Sequence, residues 1–132
     1  MIKAIAFVLS AIVIAVPIQA QSKDRTEIVH FVKGASSKAI KSSIKGYDAA
    51  YYTVNAQAGQ ELKISFKTSN KSSYFNVTAP GAEEAMFVGS ESGNEFVATL
   101  PSSGDYKIQV YLMRNAARRN EFANYTLNIE AH

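Results

Sequence analysis

Hydrophobic and polar residues alternate along several short stretches of this chain, and turn-forming residues separate the stretches. Between Glu61 and Thr68, for example, every second residue is apolar, and segments 106–113 and 123–130 repeat the pattern. A period of two with one apolar face is typical of a half-buried antiparallel β-strand. The alternation therefore predicts a core formed by Leu62, Ile64, Phe66, Tyr106, Ile108, Val110, Leu112, Tyr125, Leu127 and Ile129.

The same reading along the whole chain predicts nine strands, with Gly, Ser, Asn or Pro in the turns between them. The predicted strands are 27–33, 38–45, 50–56, 61–68, 73–79, 85–89, 95–100, 106–113 and 123–130. Eight or nine short strands at this spacing indicate an all-β fold. Because the strands are short and successive strands are expected to be paired by tight turns, we expect a single-domain antiparallel β-sandwich rather than a barrel.

One segment, residues 114–120, lacks the alternation and contains good helix formers. It joins the last two predicted strands, so we expect a helix of one or two turns or a protruding irregular loop there. In a helix, Arg114 and Arg118 are four residues apart and project from one face.

The N-terminal segment has a different pattern. An apolar run from Ile5 to Val16 follows a positive charge, and a small residue, Ala20, ends the segment. This arrangement is typical of a secretory signal peptide. A membrane-spanning helix needs about 20 apolar residues, which is more than this run supplies. We therefore expect residues 1–20 to be a signal peptide and residues 21–132 to be the mature domain.

Charge and cysteine content narrow the range of partners. Residues 1–20 hold one of the 14 basic and none of the 11 acidic residues, so their removal lowers the net charge from +3 to +2. So small a charge does not indicate nucleic acid or an anionic membrane as a partner. The chain has no Cys, which excludes disulfides and a lipid anchor on an N-terminal Cys. The domain must therefore be stabilised by its own core, which is feasible at this size.

Residues suited to catalysis are few. The two histidines, His30 and His132, are far apart in the sequence and do not form a pair at metal-ligand spacing. The chain has no Cys nucleophile and no Gly-rich phosphate loop before a helix, and its acidic residues are scattered. We therefore predict that the protein is not an enzyme and uses no cofactor and no metal.

Arginines form the most distinctive cluster. Arg114, Arg118 and Arg119 fall within six residues, whereas the lysines are spread along the chain. Arg is well suited to bind a carboxylate with two parallel hydrogen bonds, so the cluster is a candidate for binding an acidic site on a partner. The plainer alternative is a solvated loop that keeps the domain soluble.

Two turns contain a tyrosine next to Gly and Asp. In the turn Ser103-Gly104-Asp105-Tyr106, the tyrosine either begins a buried face or contributes to an interface. The turn Gly46-Tyr47-Asp48 leaves the same choice open for its tyrosine.

Several short motifs keep a common order and spacing between about residue 31 and residue 129. They are Lys33-Gly34 with Ser36-Ser37, Ile44-Lys45-Gly46-Tyr47-Asp48, Ala58-Gly59-Gln60, Leu100-Pro101, Ser103-Gly104-Asp105-Tyr106 and Arg114-Asn115-Ala116-Ala117-Arg118-Arg119-Asn120. Together they resemble the periplasmic proteinaceous inhibitors of goose-type lysozyme. The stretch from Tyr74 to Ser90 is more similar to the related inhibitors of invertebrate-type lysozyme, which share the Ser-Gly-x-Tyr motif and the β-sandwich fold.

The resemblance implies a periplasmic protein that inhibits lysozyme, with the goose-type favoured over the invertebrate-type, and so protects peptidoglycan from host defence. It implies an inhibitory surface formed by Tyr47, Ser103, Gly104, Tyr106, Arg114, Arg118 and Arg119. In the implied mechanism an arginine pairs with a catalytic carboxylate in the enzyme's cleft while the tyrosines occupy sugar subsites. The sequence leaves two further readings open: a carbohydrate- or peptidoglycan-binding module as the function, and a homodimer formed through exposed edge strands.

Overall fold

The computed structural model describes residues 23–132, which form two β-sheets packed face to face. The elements in chain order are β1 (Arg25–Ile28), β2 (Ser37–Lys45), β3 (Ala50–Ala56), β4 (Glu61–Thr68), β5 (Ser73–Thr78), β6 (Phe87–Val88), α1 (Gly89–Ser92), β7 (Glu95–Thr99), β8 (Gly104–Leu112), α2 (Arg114–Arg118) and β9 (Phe122–Ala131). The predicted signal peptide, residues 1–20, lies outside the described residues. Within the part that is described, no helix is long and apolar enough to cross a bilayer.

The five-stranded sheet has the order β1-β3-β8-β5-β6, and the four-stranded sheet has the order β2-β9-β4-β7. This confirms the predicted all-β sandwich with a short helix before the last strand. The prediction that tight turns pair successive strands was wrong. Of the described strands that are neighbours in sequence, only β5 and β6 pair with each other, because every other connection carries the chain from one sheet to the other. In addition, β1 runs parallel to β3 rather than antiparallel.

The core lies between the two sheets and is built by the alternation seen in the sequence. Strands β4, β8 and β9 bury every second residue, and all ten side chains predicted to face the core are buried. Tyr52 and Val54 of β3 and Phe75 and Val77 of β5 complete the core from the five-stranded sheet. The outward-facing positions are mainly polar, as expected for antiparallel sheets that have water on one side.

Two predicted strands are each three residues shorter in the structure. The strand predicted at 27–33 is β1, whose pairing with β3 ends at Ile28, and the chain turns a few residues later, where the Ala35 amide donates to the Val32 carbonyl. The strand predicted at 85–89 is the two-residue β6 followed by α1. Gly89 begins α1 against the backbone of Phe75, where a Cβ would lie 2.4 Å from the carbonyl oxygen. Only glycine fits this contact between the helix and β5.

The fourth arginine of the chain, Arg25, links the two sheets. Its guanidinium donates to Ser42 Oγ at 2.5 Å and to the Tyr125 hydroxyl at 2.9 Å. The hydroxyls of Tyr125 and Tyr52 lie 2.5 Å apart, and burial, followed by this hydrogen bond, raises the pKa of Tyr125. Because Arg25 and Tyr52 belong to one sheet and Ser42 and Tyr125 to the other, this arginine stabilises the fold.

Candidate functional site

Three connections between the sheets meet at one end of the sandwich, which we call the arginine end: residues 46–49, 69–72 and 113–121. Backbone hydrogen bonds join the three connections at this end. The Gly46 amide donates to the Glu121 carbonyl at 2.8 Å, and the Met113 amide donates to the Ser72 carbonyl at 2.8 Å. The fold therefore brings together side chains that are far apart in the sequence.

The turn after β2 positions Tyr47 at the arginine end. Gly46 has φ +59, and a Cβ there would lie 2.7 Å from Asn120 Oδ1, so the turn packs directly against the segment after α2. A left-handed φ combined with this close approach requires glycine. Tyr47, the next residue, is 56% exposed. A rigid turn thus presents an exposed aromatic ring beside the arginine segment.

Helix α2 has one face that is buried and an opposite face that is exposed and charged. Ala116 and Ala117 are buried against the core, whereas Arg114 and Arg118 are exposed. The spacing of four residues places the two arginines on the same face, as predicted for a helix. Asn120 follows the helix with φ 55, a left-handed conformation that Asn tolerates, and this directs the chain into β9.

Arg119 differs from the other two arginines because it has a partner within the protein. Its Nε donates to Glu121 Oε2 at 2.7 Å, and Asn70 Nδ2 donates to Glu121 Oε1 at 3.0 Å. The hydrogen bond from Asn70, followed by that from Arg119, lowers the pKa of the Glu121 carboxyl. In residues 23–132, neither Arg114 nor Arg118 forms a salt bridge. Two guanidinium groups are therefore available to an acidic partner, and the third is held by Glu121.

The turn that contains Ser103, Gly104 and Tyr106 lies at the opposite end of the sandwich. Ser103 Oγ accepts a hydrogen bond from the Ala58 amide at 2.8 Å. Gly104 has φ +143, and a Cβ there would lie 2.9 Å from Pro80 Cβ. Tyr106 is 0% exposed, and its hydroxyl donates to the Ser102 carbonyl at 2.6 Å. In this structure the motif holds three connections together.

The seven residues that the resemblance implied do not form one surface. Strand β8 has nine residues, from Gly104 to Leu112. At about 3.3 Å per residue its two ends are ~26 Å apart. Tyr47 and the three arginines lie beyond one end, and Ser103 and Gly104 lie at the other. Of the two readings left open for Tyr106, the structure shows the buried one, so the expectation that its ring fills a sugar subsite does not match its position.

Three residues at the arginine end were not predicted as site residues from the sequence: Phe122, Asn70 and Glu121. Phe122 begins β9 at the arginine end and is 59% exposed. The strand predicted to start at residue 123 left it outside the alternation. An outward-facing aromatic residue directly after an arginine cluster was the signal available in the sequence. Asn70 and Glu121 are identified as site residues only by the hydrogen bond between them, which joins the connections 69–72 and 113–121.

The fold and the site together describe a β-sandwich that presents exposed tyrosine and arginine side chains from one end, and these residue types are enriched where proteins bind one another. The chain belongs to the family of inhibitors of g-type lysozyme, being 32% identical over 105 residues to the "Inhibitor of g-type lysozyme" of Escherichia coli (strain K12), with 77% of each chain covered. No family model matches the chain.

Two solved structures support the same assignment. The periplasmic lysozyme inhibitor of g-type lysozyme from Aeromonas hydrophila is 38% identical, covers 85% of this chain and 100% of its own, and superposes with a TM-score of 0.78. The corresponding inhibitor from Salmonella Typhimurium is 31% identical, covers 82% of this chain and 98% of its own, and has a TM-score of 0.64.

Proposed function

We propose that this protein is a periplasmic inhibitor of goose-type lysozyme and protects peptidoglycan by covering the active-site cleft of the enzyme. The observation that carries the proposal is that Arg114 and Arg118 are exposed and form no salt bridge within residues 23–132, in a member of this inhibitor family. Tyr47 lies at the same end and is exposed. Inhibition by binding needs no catalytic group of its own.

The chemistry of the arginine end fits a cleft that cuts polysaccharide. Glycoside hydrolases act with carboxylic acid side chains on either side of the bond they cleave. A guanidinium from Arg114 or Arg118 pairs with such a carboxylate, and the Tyr47 ring occupies an adjacent sugar-binding position. A charged pair held away from water costs about 2–5 kcal/mol to break. Removal of one arginine of this kind should therefore weaken inhibition strongly, partly because the carboxylate is then left buried without a partner.

We assign the contact with lysozyme to the arginine end and a supporting role to Ser103, Gly104 and Tyr106. The hydrogen-bonding groups of Ser103 and Tyr106 are used within the protein. The two ends face away from each other along the length of β8, so one compact enzyme does not cover both. The turn then acts by keeping the sandwich rigid, which reduces the entropy lost when the arginine end binds.

The test is an inhibition assay with purified goose-type, invertebrate-type and chicken-type lysozymes acting on a peptidoglycan suspension. We expect strong inhibition of the goose-type enzyme and weaker or no inhibition of the other two. Inhibition of the invertebrate-type enzyme alone would keep the class of function and change the target. No inhibition of any of the three would contradict the proposal.

A second candidate is a carbohydrate-binding module, and one observation favours it. The outer face of the five-stranded sheet carries Tyr74 and Tyr111, whose ring centroids are 6.5 Å apart, next to Asn76, which accepts a hydrogen bond from the Tyr111 hydroxyl at 2.9 Å. Aromatic rings beside amide groups suit sugar binding. Sedimentation with purified peptidoglycan in the absence of lysozyme separates the candidates, because the module predicts binding and the inhibitor predicts none.

We propose that one copy of the protein acts alone. Strand β2 is an edge strand of nine residues and is the most extended edge for pairing with a second copy. It carries Lys38, Lys41 and Lys45, all exposed, and lysines on an edge strand oppose pairing between copies. Analytical ultracentrifugation at micromolar concentration should show a monomer, and a concentration-dependent dimer would contradict this view.

A further inference from the structure

We infer that Phe122 is a direct contact for lysozyme, and that the binding surface continues from the arginine end onto the outer face of the four-stranded sheet. The inference rests on the proposed function. It adds Phe122 to the proposed contact residues and extends the contact surface over the four-stranded sheet. Phe122 is 59% exposed at the first position of β9, which lies between β2 and β4 in its sheet. Aromatic side chains such as this one are enriched in protein–protein interfaces relative to the rest of a protein surface.

Phe122 is continuous with the surface that carries Tyr47. It pairs in register with Lys45, the last residue of β2, and the turn with Tyr47 begins directly after Lys45. The residues between them, Gly46 and Glu121, are joined by a backbone hydrogen bond of 2.8 Å. Phe122 and Tyr47 therefore lie on neighbouring strand ends, one on each side of a fixed backbone contact.

The backbone of Phe122 is held in place before any partner binds. Asn70, from the connection between β4 and β5, donates through Nδ2 to the Phe122 carbonyl at 3.1 Å and to Glu121 Oε1 at 3.0 Å. Glu121 in turn accepts from Arg119. One asparagine thus fixes the start of β9, and through Glu121 it positions Arg119. A rigid aromatic residue loses little conformational entropy on binding, which favours affinity.

The surroundings of Phe122 match those of an interface centre. Lys45 and Asn124, both exposed, flank it on the outer face of the sheet, and Arg119 lies three residues before it in the chain. Aromatic and arginine side chains dominate binding energy when a polar rim excludes water around them. The occupant is the lysozyme bound at the arginine end, with Phe122 buried against an apolar area beside its cleft.

The test compares Phe122→Ala with Val97→Ala in inhibition of goose-type lysozyme. Val97 is a matched control, because it is 55% exposed and faces outward at the far end of the same sheet. It is in register with Lys63, which pairs with Glu130 at the end of β9 opposite Phe122. We expect Phe122→Ala to raise the inhibition constant about 10- to 100-fold and Val97→Ala to leave it unchanged. Phe122→Tyr, which keeps the ring, should restore most of the inhibition. Circular dichroism during thermal unfolding checks that each variant is folded.

The outcomes separate this inference from the proposed function. If Phe122→Ala, while folded, inhibits as well as the parent and Arg118→Ala does not, the arginine end is confirmed and the extension over Phe122 is wrong. If the parent inhibits no lysozyme, the proposed function itself fails. If Val97→Ala weakens inhibition as much as Phe122→Ala, the effect is a general loss of surface hydrophobicity and the inference is also wrong.

Discussion

The two ends of the sandwich carry similar sequences and put them to different uses. Each has a tyrosine beside Gly and Asp, in Gly46-Tyr47-Asp48 and in Gly104-Asp105-Tyr106. Tyr47 is 56% exposed, whereas Tyr106 is 0% exposed. The difference arises because Tyr47 lies in a turn between sheets, while Tyr106 is the third residue of β8, where the alternation directs it inward. Position relative to the strand decides whether the same residue type serves binding or stability.

The polar groups at the two ends differ in the same way. Around Gly104, Ser103 Oγ accepts a hydrogen bond from the Ala58 amide of another connection, and the Tyr106 hydroxyl donates to the Ser102 carbonyl just before β8. Around α2, Arg114 and Arg118 form no salt bridge within residues 23–132. Hydrogen-bonding groups that have a partner within the protein stabilise the fold. Guanidinium groups that form no internal salt bridge are available to a binding partner. The arginine end is therefore where we place function, and four predictions test this division.

The largest effect is expected from Tyr106→Ala. Removing a fully buried aromatic side chain leaves a cavity and costs about 3–5 kcal/mol of unfolding free energy. Urea unfolding should show this loss, whereas Tyr47→Ala, at an exposed position, should change stability by less than about 0.5 kcal/mol. The folded fraction of Tyr106→Ala should still inhibit lysozyme. A variant as stable as the parent would contradict the buried role of Tyr106.

The next largest effect is on binding, from Arg114→Ala and Arg118→Ala. Loss of a guanidinium that pairs with a buried carboxylate should raise the inhibition constant roughly 10- to 1000-fold. Thermal unfolding should be nearly unchanged, because neither arginine contacts an acidic side chain within the described residues. Lys63→Ala, at an exposed position of β4, is the control and should inhibit normally. Full inhibition by both arginine variants would rule out the arginine end as the site.

A smaller effect on stability is expected from Gly104→Ala. Both Gly104 and Gly59 have positive φ, but only Gly104 has a neighbour, Pro80, in the space of a Cβ. Backbone strain of this kind costs about 1–3 kcal/mol, and the contact with Pro80 adds to it. Gly104→Ala should therefore lower the urea midpoint more than Gly59→Ala, with inhibition unchanged in both. Equal effects would mean that Pro80 moves aside freely.

The smallest effect concerns the Glu121 carboxyl, which should titrate below its ordinary value of 4.5. Hydrogen bonds from Asn70 and Arg119 favour the charged form, so the pKa is lowered by folding. The contribution of the Glu121 carboxylate to the free energy of unfolding is fully present above the pKa that Glu121 has in the unfolded chain. It is lost as the pH falls through the lower pKa of the folded protein. NMR titration of the Glu121 side chain measures the midpoint. Asn70→Ala should raise it, and a midpoint unaffected by this change would contradict the bridging role of Asn70.

The fold was largely predictable because alternation is a local property. The bounds of β3 and β4 match the predicted strands, and the helical reading of residues 114–120 is confirmed by α2. The pairing of strands was not predictable, since consecutive strands separated by turns form either a hairpin or a crossing between sheets. The short α1 was missed because its formation depends on Gly89 lying against Phe75, which is a contact between distant residues.

The candidate site was predictable only in part, for the same reason. The arginine cluster is contiguous in the chain, so the sequence revealed it directly. Phe122 was missed because the predicted strand began at residue 123, whereas β9 begins at Phe122 and its alternation directs this side chain outward. The Ser103–Tyr106 motif was grouped with the arginines through resemblance, and the structure separates them by the length of β8.

Strand alternation and helix propensity act over a few residues, so the amino-acid pattern alone predicts an all-β sandwich with an arginine-bearing helical segment. The packed fold was needed to show which tyrosine is exposed, which arginines form no salt bridge within residues 23–132, and which residues lie at the same end of the sandwich. Those properties depend on contacts between connections far apart in the chain, such as Gly46 with Glu121 and Asn70 with Phe122. Strand register and the crossing of the chain between sheets set these contacts, and neither is encoded locally.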